Sequence, residues 1–293
     1  MSRTRQSVDR PKLACEITAT AVAAARLDAG SNIMASMHSR NLPAGTLAPS
    51  LTVANILNPG ALAAAIRDVV TAAGGYPQEL TVVLPDVAVR VALLDFDSLP
   101  EKPAEADAAV RFRLRKSLPF DPDDAALSYH VQREGSTLRL VTAVMHKSVR
   151  EEYEQVVRSA GCEPGVLLPS TLAALGMVEA DEPTMLLKVD LSAISVAILS
   201  GDRLLLLRTL EAAQGEQLST DRLAEAVYPS LVYFQDTFGM TVRRVLLAGG
   251  NPADALRPVL ESAPELSVQE LVGPSLADAG GRPEFAGAIG ALY

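Results

Sequence analysis

The sequence has 293 residues, 48% hydrophobic and only 4% aromatic, so two lobes with cores of Ala, Leu and Val are expected. A formal net charge of −9 leaves no excess of Lys and Arg to displace counterions from phosphates, which argues against a nucleic-acid partner. Two cysteines, Cys15 and Cys162, and three scattered histidines offer neither a disulfide framework nor a zinc spacing, so no metal site is expected.

Residues 1–10 are polar, lack the apolar core of a signal peptide and read as a flexible tail. Segment 12–27 reads as two short strands turning between Ile17 and Ala21, and 41–59 as loop. A helix over 61–73, led in by Pro59 and Gly60 and stopped by Gly74, is followed by a buried strand at 80–84 and another at 87–94. After Pro103 the acids Glu101, Glu105 and Asp107 precede the bases Arg111, Arg113, Arg115 and Lys116, an order that complements a helix dipole. Val110, Phe112 and Leu114 alternate like a strand, but Pro103 and the Ala-rich start favour helix. The basic run reads first as a solvated helix end and second as a contact for an acidic partner. Paired strands at 128–131 and 138–144 and a helix at 148–159 follow. Segment 186–207 reads as a hairpin turning at 200–202, 220–238 as a helix containing Pro229, and 242–248 as a strand. Gly249-Gly250 turns into a helix at 253–262; 273–283 reads as loop and 285–292 as a closing helix. No run reaches about 18 uncharged apolar residues; the nearest, 185–207, is broken by Lys188, Asp190, Asp202 and Arg203. A cytoplasmic chain that reaches a membrane only through a partner is therefore expected.

One order of elements occurs twice: a strand carrying an acid, a small-residue turn, a return strand, later a helix, then a strand ending in a turn. The acids are Glu16 and Asp190. Such a duplicated lobe would form a cleft able to hold a nucleotide, with the acids positioning Mg²⁺ through waters and the turns donating N–H groups to phosphate. The turns here carry Thr18 and Ser192, and Gly249-Gly250 would admit an adenosine or be a simple turn. No Walker A, Gly-x-Gly-x-x-Gly or Gly-x-Ser-x-Gly sequence occurs. Glu16 lies in an apolar hairpin, where an unpaired carboxylate is costly, so pairing with an Arg or reach to solvent at the strand end is expected.

Several segments in order carry a resemblance: Leu80-Thr-Val-Val-Leu-Pro85, Ser117-Leu-Pro-Phe120, Leu140-Val-Thr-Ala-Val-Met-His-Lys-Ser-Val149 and Gly161-Cys-Glu-Pro164. Val189-Asp-Leu-Ser192, Leu246-Leu-Ala-Gly-Gly250 and Phe285-Ala-Gly-Ala-Ile-Gly290 continue it. Together they resemble the PilM family of type IV pilus assembly, whose fold is shared with FtsA and with the L-type protein of type II secretion. The resemblance covers nearly the whole chain from about Lys12.

It implies an α/β, actin-like, two-lobed fold: a tail at 1–10, a first lobe at 11–85 plus 165–185, an inserted subdomain at 86–164 and a reduced second lobe at 186–293. The final helix, 285–292, has the option of returning to the first lobe. It also implies a non-enzymatic scaffold, peripheral to the inner membrane, that binds the cytoplasmic N-terminal tail of a single-span PilN-like protein alongside pilus platform and motor proteins, with a homo-oligomer as a further option. The partner-binding candidates are Val89, Val91, Leu93, Leu99, Pro119 and Phe120, read as a strand edge and corner of the insertion.

The departures bear on the nucleotide. The family's first phosphate motif resembles Asp-Ile-Gly-Ser-Ser-Ser-Val-Lys, where this chain has Glu16-Ile-Thr-Ala-Thr-Ala-Val-Ala23, and Ser192 replaces the glycine of the second lobe. Glu16, Thr18, Asp190, Ser192, Gly249 and Gly250 thus read as a vestigial cleft, with no cofactor expected and ATP with Mg²⁺ as the alternative. An ATP-binding switch or slow ATPase is the competing function. An L-type secretion component ranks lower because that protein continues into a membrane span and this sequence stops at Tyr293; a sugar-kinase-like enzyme lacks a substrate signature.

Overall fold

A computed structural model of the chain describes residues 11–28, 30, 33–74, 79–135, 137–191, 193–212, 219–249, 257–261, 265–278 and 280–293. The first sheet opens with three antiparallel strands, β1 (Leu13–Ile17), β2 (Ala21–Leu27) and β3 (Met34–Asn41). β1 and β2 are apolar or Ala at almost every position and buried nearly throughout, the pattern of strands covered on both faces. Helix α1 (Pro59–Ala72) starts at Asn58, whose side chain accepts from the Ala61 N–H at 3.1 Å, with Pro59 in the first turn. It leads to β4 (Glu79–Leu84), parallel to β1.

A separate sheet is inserted next. It comprises β5 (Arg90–Phe96), β6 (Ala125–Glu134) and β7 (Thr137–His146) in the order β5-β7-β6, with α2 (Pro103–Leu114) packed on one face. Val110, Leu114, Leu138, Leu140 and Val144 form its core. Helix α3 (Lys147–Ser159) then packs against α1, and β8 (Glu163–Pro169) pairs parallel to β4. The inserted sheet therefore spans 90–146 rather than 86–164, because α3 buries Val149, Tyr153, Val156 and Val157 in the first lobe's core. The first sheet reads β3-β2-β1-β4-β8.

After α4 (Ser170–Ala174) the second lobe repeats this plan with β9 (Thr184–Val189), β10 (Ala193–Ser200), β11 (Arg203–Glu211), α5 (Thr220–Phe238), β12 (Arg244–Ala248), α6 (Arg257–Glu261) and β13 (Ser267–Glu270). Its order, β11-β10-β9-β12-β13, matches the first sheet strand for strand. The segment read as one hairpin over 186–207 is three strands, because Asp190 and Leu191 begin a second turn. Short helices α7 (Pro274–Asp278) and α8 (Ala286–Gly290) close the chain, the first inside the stretch read as loop.

α8 packs on α4 and β1, and so on the first lobe. The core between the lobes is built largely of Ala, including Ala14, Ala23, Ala174, Ala197, Ala248 and Ala288, which lets backbones approach closely. Gly290 lies so close to the Ala173 carbonyl, and Gly176 so close to that of Gly290, that neither position has room for a Cβ. Among the described residues no helix is long and apolar enough to cross a membrane.

Candidate functional site: the cleft between the lobes

The two central hairpins, β1–β2 and β9–β10, meet at the cleft. Ile17 pairs with Val22 and Val189 with Ile194, so the turns enclose 18–21 and 190–193. The Thr18 N–H donates to the Ala21 carbonyl at 2.9 Å, and the Asp190 N–H to the Ala193 carbonyl at 3.0 Å. Each turn is also held by its first side chain: Thr18 Oγ1 accepts from the Ala21 N–H at 3.0 Å and Asp190 Oδ1 from the Ala193 N–H at 2.9 Å. By this register Asp190 corresponds to Thr18. The counterpart of Glu16 is Lys188, not Asp190 as the order of acids in the sequence indicated.

Glu16 and Lys188 are both buried, at 0% and 2% exposure, and face each other with Nζ 3.8 Å from Oε1. The same Nζ stands 3.8 Å from Asp190 Oδ2. The Ser170 hydroxyl donates to Glu16 Oε1, and the Ala288 N–H of α8 donates to Oε2 at 2.8 Å. Asp86, in the short turn that follows the first lobe's β4, accepts from the Thr171 N–H at 2.8 Å, the Thr171 hydroxyl at 2.5 Å and the Ser195 hydroxyl of the second lobe at 3.0 Å. Ser195 lies opposite Lys188 in the ladder and also contacts Thr209 Oγ1 at 2.9 Å.

Burial raises the pKa of Glu16 more than the Lys188 charge, the Ser170 hydroxyl and the Ala288 N–H lower it. Asp86 is raised by burial too, against Lys188 and the two Thr171 hydrogen bonds. Burial pulls Lys188 down, but Glu16, Asp190 and Asp86 together outweigh it and its pKa is raised, so it remains an ammonium. A fixed cation therefore occupies the space between Glu16 and Asp190, where the sequence reading placed water-bridged Mg²⁺. Among the described residues no group of His, Cys, Asp and Glu is arranged to hold a metal ion.

Of the cleft residues read from the sequence, the structure brings Glu16 and Asp190 together through Lys188 and leaves Thr18 within its own turn. Gly249 has φ 133° and its N–H donates to the Pro283 carbonyl at 3.0 Å. Ser192 and Gly250 lie outside the described residues. Lys188, Asp86, Ser170 and Ser195 were missed. Lys188 had a signal, a lone charge in an apolar strand, but it served only to exclude a membrane span.

The partner-binding candidates do not form one surface. Val89 and Val91 line a cavity of about 250 Å³ with Leu51, Asp86, Leu207 and Thr209. Leu93 packs into the core between the lobes, and Leu99 and Phe120 pack on the insertion's own core, beside the exposed Pro119. Alternation along β5 separates these groups, sending 91 and 93 toward the lobes and 92, 94 and 96 toward α2. The free edge of β5 meets β11. Two other outer strands, β6 and β8, flank a groove. Two cavities lie between them, about 370 Å³ beside Ala126, Ser128 and Leu167 and about 540 Å³ beside His130, Val166 and Leu168. Gln132 closes one end, its side-chain amide facing the backbone N–H and carbonyl of Leu204.

No protein-family model and no curated protein matches the sequence. Among solved structures, a chain of a PilM-PilN type IV pilus biogenesis complex superposes with a TM-score of 0.73 at 21% identity, over 96% of this chain and 97% of that one. A Bacteroides thetaiotaomicron protein described as having an actin-like ATPase fold matches with a TM-score of 0.50 at 10% identity, over 91% and 93%. The chain has an actin-like fold.

The cytoplasmic domain of EpsL, an inner-membrane component of the Vibrio cholerae type II secretion system, shares the actin-like fold more distantly, with a TM-score of 0.53 at 9% identity over 90% and 98%. Within the actin-like frame, this chain's cleft is bridged by side chains of its own, through Glu16–Lys188 and Asp86–Ser195.

Proposed function

We propose that this chain is a non-enzymatic scaffold of a type IV pilus assembly platform, recruited to the inner membrane by the cytoplasmic N-terminal tail of a PilN-like protein. The observation that carries the proposal is the end-to-end similarity to a chain of the PilM-PilN complex, over 96% of one chain and 97% of the other. The cleft supports a role without nucleotide. Glu16 spends its oxygens on Ser170, Ala288 and Lys188, and the ammonium already supplies the positive charge that Mg²⁺ would bring. A triphosphate would have to displace contacts that join the lobes.

We propose that the tail lies between β6 and β8. An extended peptide there pairs its backbone with an open strand edge and sends alternate side chains into the two cavities. Val166, exposed on β8, sits within the groove. The test is titration with the N-terminal peptide of a PilN-like protein, followed by hydrogen exchange. Protection of 125–134 and 163–169 is expected, with Ser128→Trp and Val166→Asp each weakening binding at least about tenfold, or about 1.4 kcal/mol. Protection confined to the second lobe, or no binding, overturns the placement.

A further inference from the structure

The two cavities of the groove lie on opposite faces of the first sheet. Along β8, Leu167 and Pro169 line the smaller, of about 370 Å³, and Val166 and Leu168 the larger, of about 540 Å³. That is the alternation of a strand. The core divides the same way: Val82, Leu84 and Leu167 pack with α1 and α3, Val83 and Leu168 with the core between the lobes. β6 divides along its length instead, with 125–128 beside the smaller cavity and His130 and Gln132 beside the larger.

The walls of the two cavities carry opposite charge. Arg111, Lys147 and Arg150 line the smaller, and no acid does. Arg111 is held by Asp107 at 2.7 Å. Arg150 Nε stands 3.3 Å from Glu154 Oε1 but is buried without a hydrogen bond. Lys147, exposed at the start of α3, donates to the Asp123 carbonyl at 2.6 Å and makes no ion pair with a described residue. The larger cavity is lined by the exposed Glu79 and Asp202 and by His130, and by no Lys or Arg. Neither acid is ion-paired with a described residue; the cations nearby in sequence, Lys12 and Arg203, have interactions of their own and do not line the cavity.

We infer that the groove selects its occupant by charge in alternation. The bound tail presents an acidic side chain to Lys147 and Arg150 on one face of β8, and a basic side chain to Glu79 and Asp202 on the other. This rests on the placement of the tail between β6 and β8 and adds the chemistry of the partner. Side chains on opposite faces of an added strand are an odd number of residues apart, so the two charges of the tail are oddly spaced. The smaller cavity lies toward the Pro169 end of β8, and Glu79 pairs with Glu163 at the other end. A tail parallel to β8 therefore carries its basic residue first, and an antiparallel tail its acidic residue first. Exposed charge pairs contribute little alone, so backbone pairing and the apolar parts of the cavities hold the tail while the charges choose among tails.

The test is fluorescence anisotropy with a labelled N-terminal peptide of the PilN-like protein, titrated with the full chain as wild type, Lys147→Glu and Asp202→Lys, with hydrogen exchange on each complex. Both positions are exposed, so melting temperatures should be unchanged. Each substitution is expected to weaken binding about fivefold at low salt, and less as salt is added. Replacing the peptide's acidic residue by Lys should restore binding to Lys147→Glu and not to Asp202→Lys; replacing its basic residue by Glu should do the reverse. Wild-type affinity in both variants with 125–134 and 163–169 still protected, rescue in the wrong pairing, or a tail that lacks an oppositely charged pair at odd spacing overturns the inference and leaves the placement standing. Failure of the wild-type complex to protect those strands overturns the placement and the inference with it.

Discussion

Lys188 is the side chain on which the closed cleft turns. Glu16 and Asp86 both depend on its charge, and removing one partner of a buried pair typically costs about 3–5 kcal/mol because the other charge is stranded. Lys188→Met should lose stability of that order at pH 8 by urea unfolding. The pH dependence follows from the shifts. Glu16 and Asp86 have raised pKa values, so the stability linked to them is fully present below the ordinary carboxylate range and declines as pH rises through their folded values. Lys188, also raised, keeps its contribution below the ordinary lysine value and loses it as pH rises through its own folded value. Without the ammonium the carboxylates hold their protons to higher pH still, so the variant's deficit should shrink markedly at pH 5. An equal deficit at both pH values would contradict the pairing. Gly287 offers a steric check on the same cluster: a Cβ there would stand 2.6 Å from Ser170 Oγ and 2.7 Å from Glu16 Oε1. Gly287→Ala should therefore destabilise by about 1–3 kcal/mol in the same assay, and a neutral effect would mean that the cluster is loose. The need of Glu16 for a partner was legible in the sequence, since a carboxylate in an apolar strand cannot stand alone. That the partner is 172 residues away (188 − 16) was not, because it follows from the pairing of two hairpins rather than from any local pattern.

Among elements, the closing helix shows how little length predicts importance. α8 has five residues, yet it donates the Ala288 N–H to Glu16 and buries Ile289 completely in the core between the lobes. Ile289→Ala should cost about 2–4 kcal/mol, as a central core position would. A loss below about 1 kcal/mol would show that α8 is only loosely docked. Segment 103–114 is helical despite the strand-like alternation of Val110, Phe112 and Leu114, because burial falls on 106, 110 and 114 and leaves 112 outside. β3 and β13 escaped detection for a common reason: both are outer strands of their sheets with half-exposed, mixed sequences, Met-Ala-Ser-Met-His-Ser-Arg-Asn and Ser-Val-Gln-Glu, which lack a clear period. Of the partner-binding candidates, Val91 and Leu93 lie on β5 and Val89 just before it, in an apolar alternation that marks burial. β6 and β8, which flank the groove, are outer strands of their sheets, and that position is a property of sheet order that no single strand reveals.

At the scale of the whole molecule, two sheets of one topology enclose a cleft whose floor is closed by contacts from both lobes. Here the chain's own side chains make the bridge, so partner binding should be indifferent to nucleotide. The most direct measurement is calorimetric titration of the PilN-like tail peptide into the chain, with and without about one millimolar Mg-ATP, an excess over any micromolar site. The account predicts the same dissociation constant in both cases, and no heat from Mg-ATP alone. A peptide affinity that appears only with Mg-ATP, or shifts about tenfold or more, or an ATP dissociation constant at or below about ten micromolar, would contradict it.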